Sequence, residues 1–148
     1  MFVRRTKKHG TQSLGRSRGG FSTKIHLACD ALGNALRFIL TSGERHDITQ
    51  AENLIENFAA DAVIADKGYD ADNFISQIEA QNSSVVIPSK ANRKVQRSID
   101  RHLYKERHLI ENQIGKLKHF RRVFSRFDKL AKNYLSFIYF ASTIIWLR

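Results

Sequence analysis

The run Ala62-Val63-Ile64-Ala65 has no polar position, and it stops at Asp66 before Lys67-Gly68-Tyr69-Asp70. A strand that is apolar at every position is apolar on both of its alternating faces, and such strands belong to parallel pairs covered by helices. The run therefore predicts a central strand, parallel to a neighbour, in an α/β fold. It also delivers a carboxylate at a strand end beside a glycine, a place suited to holding a metal ion.

The flanking segments carry their own periods. Residues 21–29 alternate, with Ile25, Leu27 and Cys29 on one face and Lys24 and His26 on the other, which reads as a strand. On that polar face His26 is expected at the surface, within reach of nucleic acid. Residues 30–34 offer turn chemistry through Asp30, Gly33 and Asn34, and residues 35–41 give a second strand, so the pair predicts an antiparallel hairpin closed by Ser42-Gly43. Asp47 is placed to cap a helix with Gln50 three positions on, and Ile48, Ala51, Leu54, Ile55 and Phe58 follow as its apolar stripe. Residues 70–81 repeat that stripe through Phe74, Ile75 and Ile78, with Asp70 as the cap, and residues 83–87 form a β-branched strand stopped at Pro88. Lys90, Arg93, Lys94 and Arg97 then make residues 89–100 either a solvated charge run or a segment that tracks DNA. From residue 101 one continuous helix is expected to about residue 124, and a final one from residue 128 or 129, with Phe137, Phe140 and Trp146 packing in the core. Alternating strands and helices of this kind describe a mixed sheet with helices on it.

Within the long helix, Tyr104, Arg107, Glu111 and Lys118 follow the spacing Y-x2-R-x3-E-x6-K. At about 100° per residue, steps of three, four and seven place all four on one stripe. A surface ion pair between Arg107 and Glu111 would stabilise a helix by only a few tenths of a kcal/mol. What favours chemistry over mere helix support is the second acidic position at Asp66. In-line attack on a phosphodiester is helped by two divalent ions about 3.5–4 Å apart, and hard ions such as Mg²⁺ or Mn²⁺ take carboxylate oxygens. Asp66 and Glu111 are the candidate catalytic residues and metal ligands. Arg107 can orient Glu111 or take a phosphate bidentately, Lys118 meets the DNA backbone as a point charge, and Tyr104 hydrogen-bonds or stacks nearby.

Charge agrees with a polyanionic partner. The 148 residues carry 25 Lys and Arg against 14 Asp and Glu, a net charge of +11, which points to DNA or RNA. No acid precedes Asp30, whereas Arg4, Arg5, Lys7, Lys8, Arg16, Arg18 and Lys24 all do. Residues 1–20 are accordingly expected to be a basic flexible tail that orders on nucleic acid, with Arg16, Arg18 and Lys24 as phosphate contacts, and residues 21–148 the folded domain. The lone Cys29 can form no internal disulfide and fits a reducing cytoplasm. The N-terminus lacks the roughly 7–15 apolar residues of a secretion signal. Residues 134–147 fall short of the roughly 20 needed to cross a bilayer, so no membrane role is expected.

Tyr104, Arg107, Glu111 and Lys118 together resemble the Y-R-E-K signature of bacterial insertion-sequence transposases with a D-D-E site, of the insertion sequence four and five group. Residues 15–20 (GRSRGG), Thr23-Lys24-Ile25-His26, Asp30-Ala-Leu-Gly33-Asn34, Gly43, His46-Asp47 and Ala65 through Asp70 resemble the same group in the same order. The resemblance covers the chain from about residue 15 to its end. It implies a ribonuclease H-like catalytic domain, Asp66 as the second catalytic Asp, Glu111 as the catalytic Glu, and metal-dependent DNA cleavage and strand transfer at transposon ends and target. It also implies a first catalytic Asp on a strand ahead of GRSRGG, where this sequence has no acid. Asp30 reads as a turn residue, and Asp47 and Asp70 as helix caps. The chain is therefore expected to be the C-terminal portion of a catalytic domain lacking the first strand, inactive alone, a decayed fragment or a partner of an upstream-frame product, acting at the nucleoid. The other readings are a non-catalytic DNA-binding regulator, and a basic structural protein with no acidic pocket.

Overall fold

Alternation builds the hairpin of the first sheet as expected, but residues 15–17, read as part of a flexible basic tail, add a third strand to it. In the computed structural model, which describes residues 12–17 and 20–148, strand β2 (Gly20–Cys29) lies between β1 (Gly15–Ser17) and β3 (Ala35–Ser42), antiparallel to both. The β2–β3 register sets His26 against Ile39 and Leu27 against Phe38, with a bulge at Ala28/Cys29. The turn is built by Asp30, whose carboxylate accepts from Leu32 N at 2.9 Å and Asn34 N at 2.8 Å, while Gly33 takes a φ of 83°. That left-handed conformation suits a residue without a Cβ.

The chain then passes through a 3₁₀ turn (Asp47–Gln50) into helix α1 (Ala51–Ile55) and strand β4 (Ala62–Ile64). A second 3₁₀ turn (Lys67–Tyr69), helix α2 (Asp72–Ala80) and strand β5 (Ser84–Val86) follow. Strands β4 and β5 are parallel, Ile64 facing Val86, as the all-apolar run predicts. The architecture is mixed α/β, but not the single mixed sheet expected: among the described residues β1-β2-β3 and β4-β5 are separate sheets. Nor is β4 central. It has β5 as its one hydrogen-bonded neighbour among the described residues and is half-buried throughout. An apolar run records which side chains leave water and not how many strands flank it. Val63 and Ala65 pack on the core beneath α1 and α2, whereas nothing obliges Ala62 and Ile64 to be covered equally well.

Two hydrophobic clusters hold the molecule. Phe38, Leu117, Val123, Tyr134, Ile138 and Ala141 form one, with Ile25 and Leu27 of β2 against it. Ala51, Phe74, Ile75, Ile78 and Ile87 form the other, and the buried Phe74, Ile75 and Ile78 are the stripe read from the sequence.

The long helix is broken. It comprises α3 (Arg101–Lys105), α4 (His108–Lys118) and α5 (Arg121–Phe124), followed by α6 (Ala131–Trp146). Asp100 caps α3, accepting from His102 N at 2.7 Å and Leu103 N at 3.1 Å. At the first break the His108 ring lies 2.8 Å from the Lys105 carbonyl, and the backbone tightens to three-residue bonds, Arg107 N to Tyr104 O and Ile110 N to Arg107 O, both 3.2 Å. Side-chain competition for a carbonyl loosens a helix without Pro or Gly. Glu106 and Arg107 keep right-handed helical dihedrals, so the stripe survives. At the second break Phe120 turns extended, with ψ 107°, to bury its ring against the first cluster.

The C-terminal aromatics also differ from expectation. Tyr134, Ile138 and Ala141 fill the core, while Trp146 is 68% exposed and Phe140 is also exposed. Phe137 is half-buried, with the Arg122 guanidinium 4.8 Å above its ring. Helical spacing places residues on faces; it does not say which of two apolar faces a helix buries. Among the described residues no helix is long and apolar enough to cross a membrane.

Candidate active site

Asp66 leaves β4 in an extended conformation and caps the 3₁₀ turn, its Oδ1 accepting from Gly68 N at 2.7 Å. A Cβ at residue 68 would lie 2.8 Å from that same oxygen, so a larger residue there would push the carboxylate aside. The carboxylate is solvent-exposed, so it is free to meet a cation. Tyr69 beside it is half-buried, and burial, then the charges of Asp47 and Asp66, push its hydroxyl up to about 12. The phenol therefore stays protonated at neutral pH.

On α3 and α4, Arg107 reaches both ways. Its guanidinium lies 5.9 Å over the Tyr104 ring and its Nη2 is 2.7 Å from Glu111 Oε1. Tyr104, Arg107 and Glu111 are thus brought together as the spacing requires, and Lys118 stands exposed at the end of α4. Among the described residues no hydrogen bond or ion pair joins Asp66 to this row. Nor do the described residues contain a group of three or more His, Cys, Asp or Glu able to hold a metal ion. In kind, the two exposed carboxylates fit a hard divalent cation; in number, they fall short of a complete set.

Of the basic residues expected to meet phosphate, Lys24 is already engaged. Its ammonium lies 3.2 Å from Asp47 Oδ1 and donates to Arg45 O at 2.8 Å. The side chain of Arg16, and all of Arg18 and most of the basic tail, lie outside the described residues.

Two polar clusters were not legible in the sequence. In the first, His26 is not a surface residue: it is 2% exposed, with Nε2 2.8 Å from Thr41 Oγ1 and Nδ1 3.6 Å from Asp47 Oδ1. Asp47 is accordingly not a helix cap. His46 occupies that position without a side-chain bond, and the Asp47 carboxylate is turned to Lys24 and His26 instead. Burial lowers the His26 pKa; Asp47 opposes this and Lys24 adds to it. With the folded value below the ordinary one of about 6.5, the unfolded chain takes up the proton first, so stability is full above that pH and falls as the pH drops below it. A plot of melting temperature against pH should bend downward below about 6.5, and His26→Gln should remove that bend. A bend unchanged by the substitution would assign it to other groups.

In the second cluster, Asp70 is a buried hub. Its N-cap role is taken by Ala71, and its carboxylate accepts from Lys90 N at 2.8 Å, Arg93 Nε at 2.6 Å and Arg97 Nη2 at 3.4 Å. Arg93 also reaches Asp72 at 2.6 Å, and Arg97 donates to Ile87 O at 3.0 Å. Residues 89–100 are therefore an ordered loop pinned to the turn that carries Asp66. The Asp70–Arg97 link spans 27 positions, so no local pattern could announce it.

A carboxylate at a strand end, a Glu in a cationic helical row and an excess of positive charge are the features expected of a protein that acts on DNA. The family model for the transposase DDE domain matches residues 2–145, and the chain belongs to that family. It is 39% identical over 130 residues to a protein of Brucella ovis, named as a candidate transposase for insertion sequence element IS6501; the match covers 86% of this chain and 99% of that protein. No solved structure matches it. The chain is thus a transposase of the insertion-sequence type, from a family that acts on DNA and generally uses a divalent metal.

Proposed function

We propose that the chain is the downstream part of a ribonuclease H-like catalytic domain, in which Asp66 and Glu111 hold Mg²⁺ or Mn²⁺ for DNA strand cleavage and transfer. What supports this reading is two exposed carboxylates, each separately held, in a chain of the transposase DDE family: Asp66 at a strand end by Gly68 N, and Glu111 on α4 by Arg107. Bound there, the ion would supply charge neutralisation at the scissile phosphate. The chain's own groups do the rest. Arg107 restrains the Glu111 carboxylate, Tyr104 packs on Arg107, and Lys118 anchors the DNA backbone together with Arg16 and Arg18, whereas Lys24 would have to leave Asp47 to join them. The basic N-terminal residues contact DNA, and β1 onward belongs to the partial catalytic domain, since β1 pairs with β2 and Gln12 bonds Arg126.

Two carboxylates do not complete a three-carboxylate set, and residues 1–29 contain no acid to complete it. We place the third on a partner polypeptide, an upstream-frame product that supplies the missing strand. Incubated with supercoiled DNA and Mg²⁺, residues 1–148 alone should bind without nicking, and addition of the upstream segment should restore metal-dependent cleavage. Nicking by the isolated chain would overturn the division of ligands. Binding with no cleavage under either condition would favour the second reading, a DNA-binding regulator, which the charge of +11 supports equally.

A further inference from the structure

The corner between α4 and α6 takes no part in the site above, yet it is unusually built. Its single turn α5 turns Val123 inward and leaves Phe124 70% and Phe127 58% exposed. Both rings line a cavity of about 450 Å³ together with Thr23, Asp128, Lys129 and Tyr134. Two exposed phenylalanines on one small surface cost hydrophobic free energy that burial would recover, so they point to a ligand with an apolar face. The Arg121 guanidinium lies 5.7 Å over the Phe127 ring.

Charge narrows the ligand. Of the cations here, Arg122 is neutralised by Asp128 at 3.1 Å, and Arg126 is locked into the frame, donating to Gln12 O at 2.8 Å and Asp128 O at 3.0 Å, and to Thr23 Oγ1. Lys118, Arg121, Lys129 and Lys132 have no carboxylate within ion-pair distance among the described residues. The cavity thus combines two aromatic rings with the unpaired ammonium of Lys129 at its wall, and Lys118, Arg121 and Lys132 elsewhere on this end of the chain, the pairing used to hold single nucleic-acid strands. A base inside a duplex hides its faces in the stack; only an unpaired base offers one to a phenyl ring.

We propose that this corner is a second DNA contact, in which one unpaired nucleotide lays its base on Phe124 and Phe127 and its phosphate against Lys129. The proposal rests on the DNA-binding reading above. Two of the pocket's hydroxyls are already spent: Tyr134 donates to Val123 O at 2.7 Å and Thr23 to Ser13 O at 2.6 Å. Recognition is therefore by stacking and charge, without preference for one base.

The test compares binding of the full chain to a short fully paired duplex and to the same duplex carrying one bulged nucleotide. The bulged DNA should bind roughly 5- to 150-fold more tightly, the range that one base–aromatic stack supplies. Phe124→Ala/Phe127→Ala should erase that preference while leaving duplex affinity within about twofold and thermal stability unchanged, because both rings are exposed. Lys129→Gln should weaken bulged-DNA binding without abolishing the preference, and Lys118→Ala should weaken both DNAs alike. Equal binding of the two DNAs, or a preference that survives the double substitution, overturns the proposal and leaves the DNA reading intact. Displacement of the bulged DNA by free deoxynucleoside monophosphate at matching affinity overturns it in favour of a free nucleotide. No binding to either DNA overturns both.

Discussion

Asp66→Ala or Glu111→Ala is expected to cut metal-dependent strand cleavage at least about 100-fold in the protein completed by its upstream segment, since loss of a mere outer-shell partner of a metal ligand already costs 10- to 100-fold. Duplex affinity should stay within about twofold, because both carboxylates are exposed and neither holds the core together. Removing a carboxylate from a phosphate-binding surface relieves repulsion, so a slight gain in affinity is compatible with the reading. The double variant should be no worse than the poorer single one, as for groups that act as a unit. Loss of cleavage from Glu111→Ala with an equal loss of DNA binding would instead mean that freeing Arg107 had disrupted α4. Circular dichroism and gel-shift assays on the same samples separate the two outcomes.

The second large effect is structural. Asp70→Ala should destabilise the fold by about 3–5 kcal/mol in urea unfolding, the cost of breaking a buried charged pair from one side. The side chain is 0% exposed, and its loss leaves the Lys90 N–H without its acceptor and Arg97 without a counter-charge, with only the Ile87 carbonyl, while Arg93 keeps Asp72. A domain of this size has about 5–15 kcal/mol in all, so the loop 89–100 should become protease-sensitive before the rest. Burial alone would raise the Asp70 pKa, but hydrogen bonds from Arg93, Lys90 N and Arg97 outweigh it and hold the carboxyl below its ordinary range. With the folded value depressed, this stabilisation is present above the ordinary aspartate pKa near 3.9 and is lost as the pH falls through the folded one. A loss below about 1 kcal/mol would place the pair with ordinary surface ion pairs.

What could be read from residues alone was what local rules determine. The β2–β3 hairpin, the Asp30 turn, the α2 stripe and the parallel character of β4 each follow from a period or a turn residue within a dozen positions. The Y-R-E-K row was legible for the same reason, and it survives a helix break because the tightened turn keeps helical dihedrals. Failures cluster where distant parts meet. His26 alternates onto a polar face, but the 3₁₀ turn from residue 47 covers that face. Asp70 stands where a cap belongs, yet arginines more than 20 positions away claim it. Periodicity gave α6 two apolar faces, and only tertiary packing chose Tyr134 and Ile138 over Phe140 and Trp146. Cys29 behaves as a structural thiol: burial, then Asp30, pushes it up to about 12, so it carries no thiolate at neutral pH.

Arg126 and Ala131 bond to Gln12 across 114 and 119 positions, and the Tyr139 hydroxyl accepts from Phe38 N across 101. The opening hairpin is therefore sealed by residues translated nearly last. A nascent chain on the ribosome must carry an open sheet until its C-terminal helix emerges, which makes folding slow and gives chaperones, or another strand, time to reach it first.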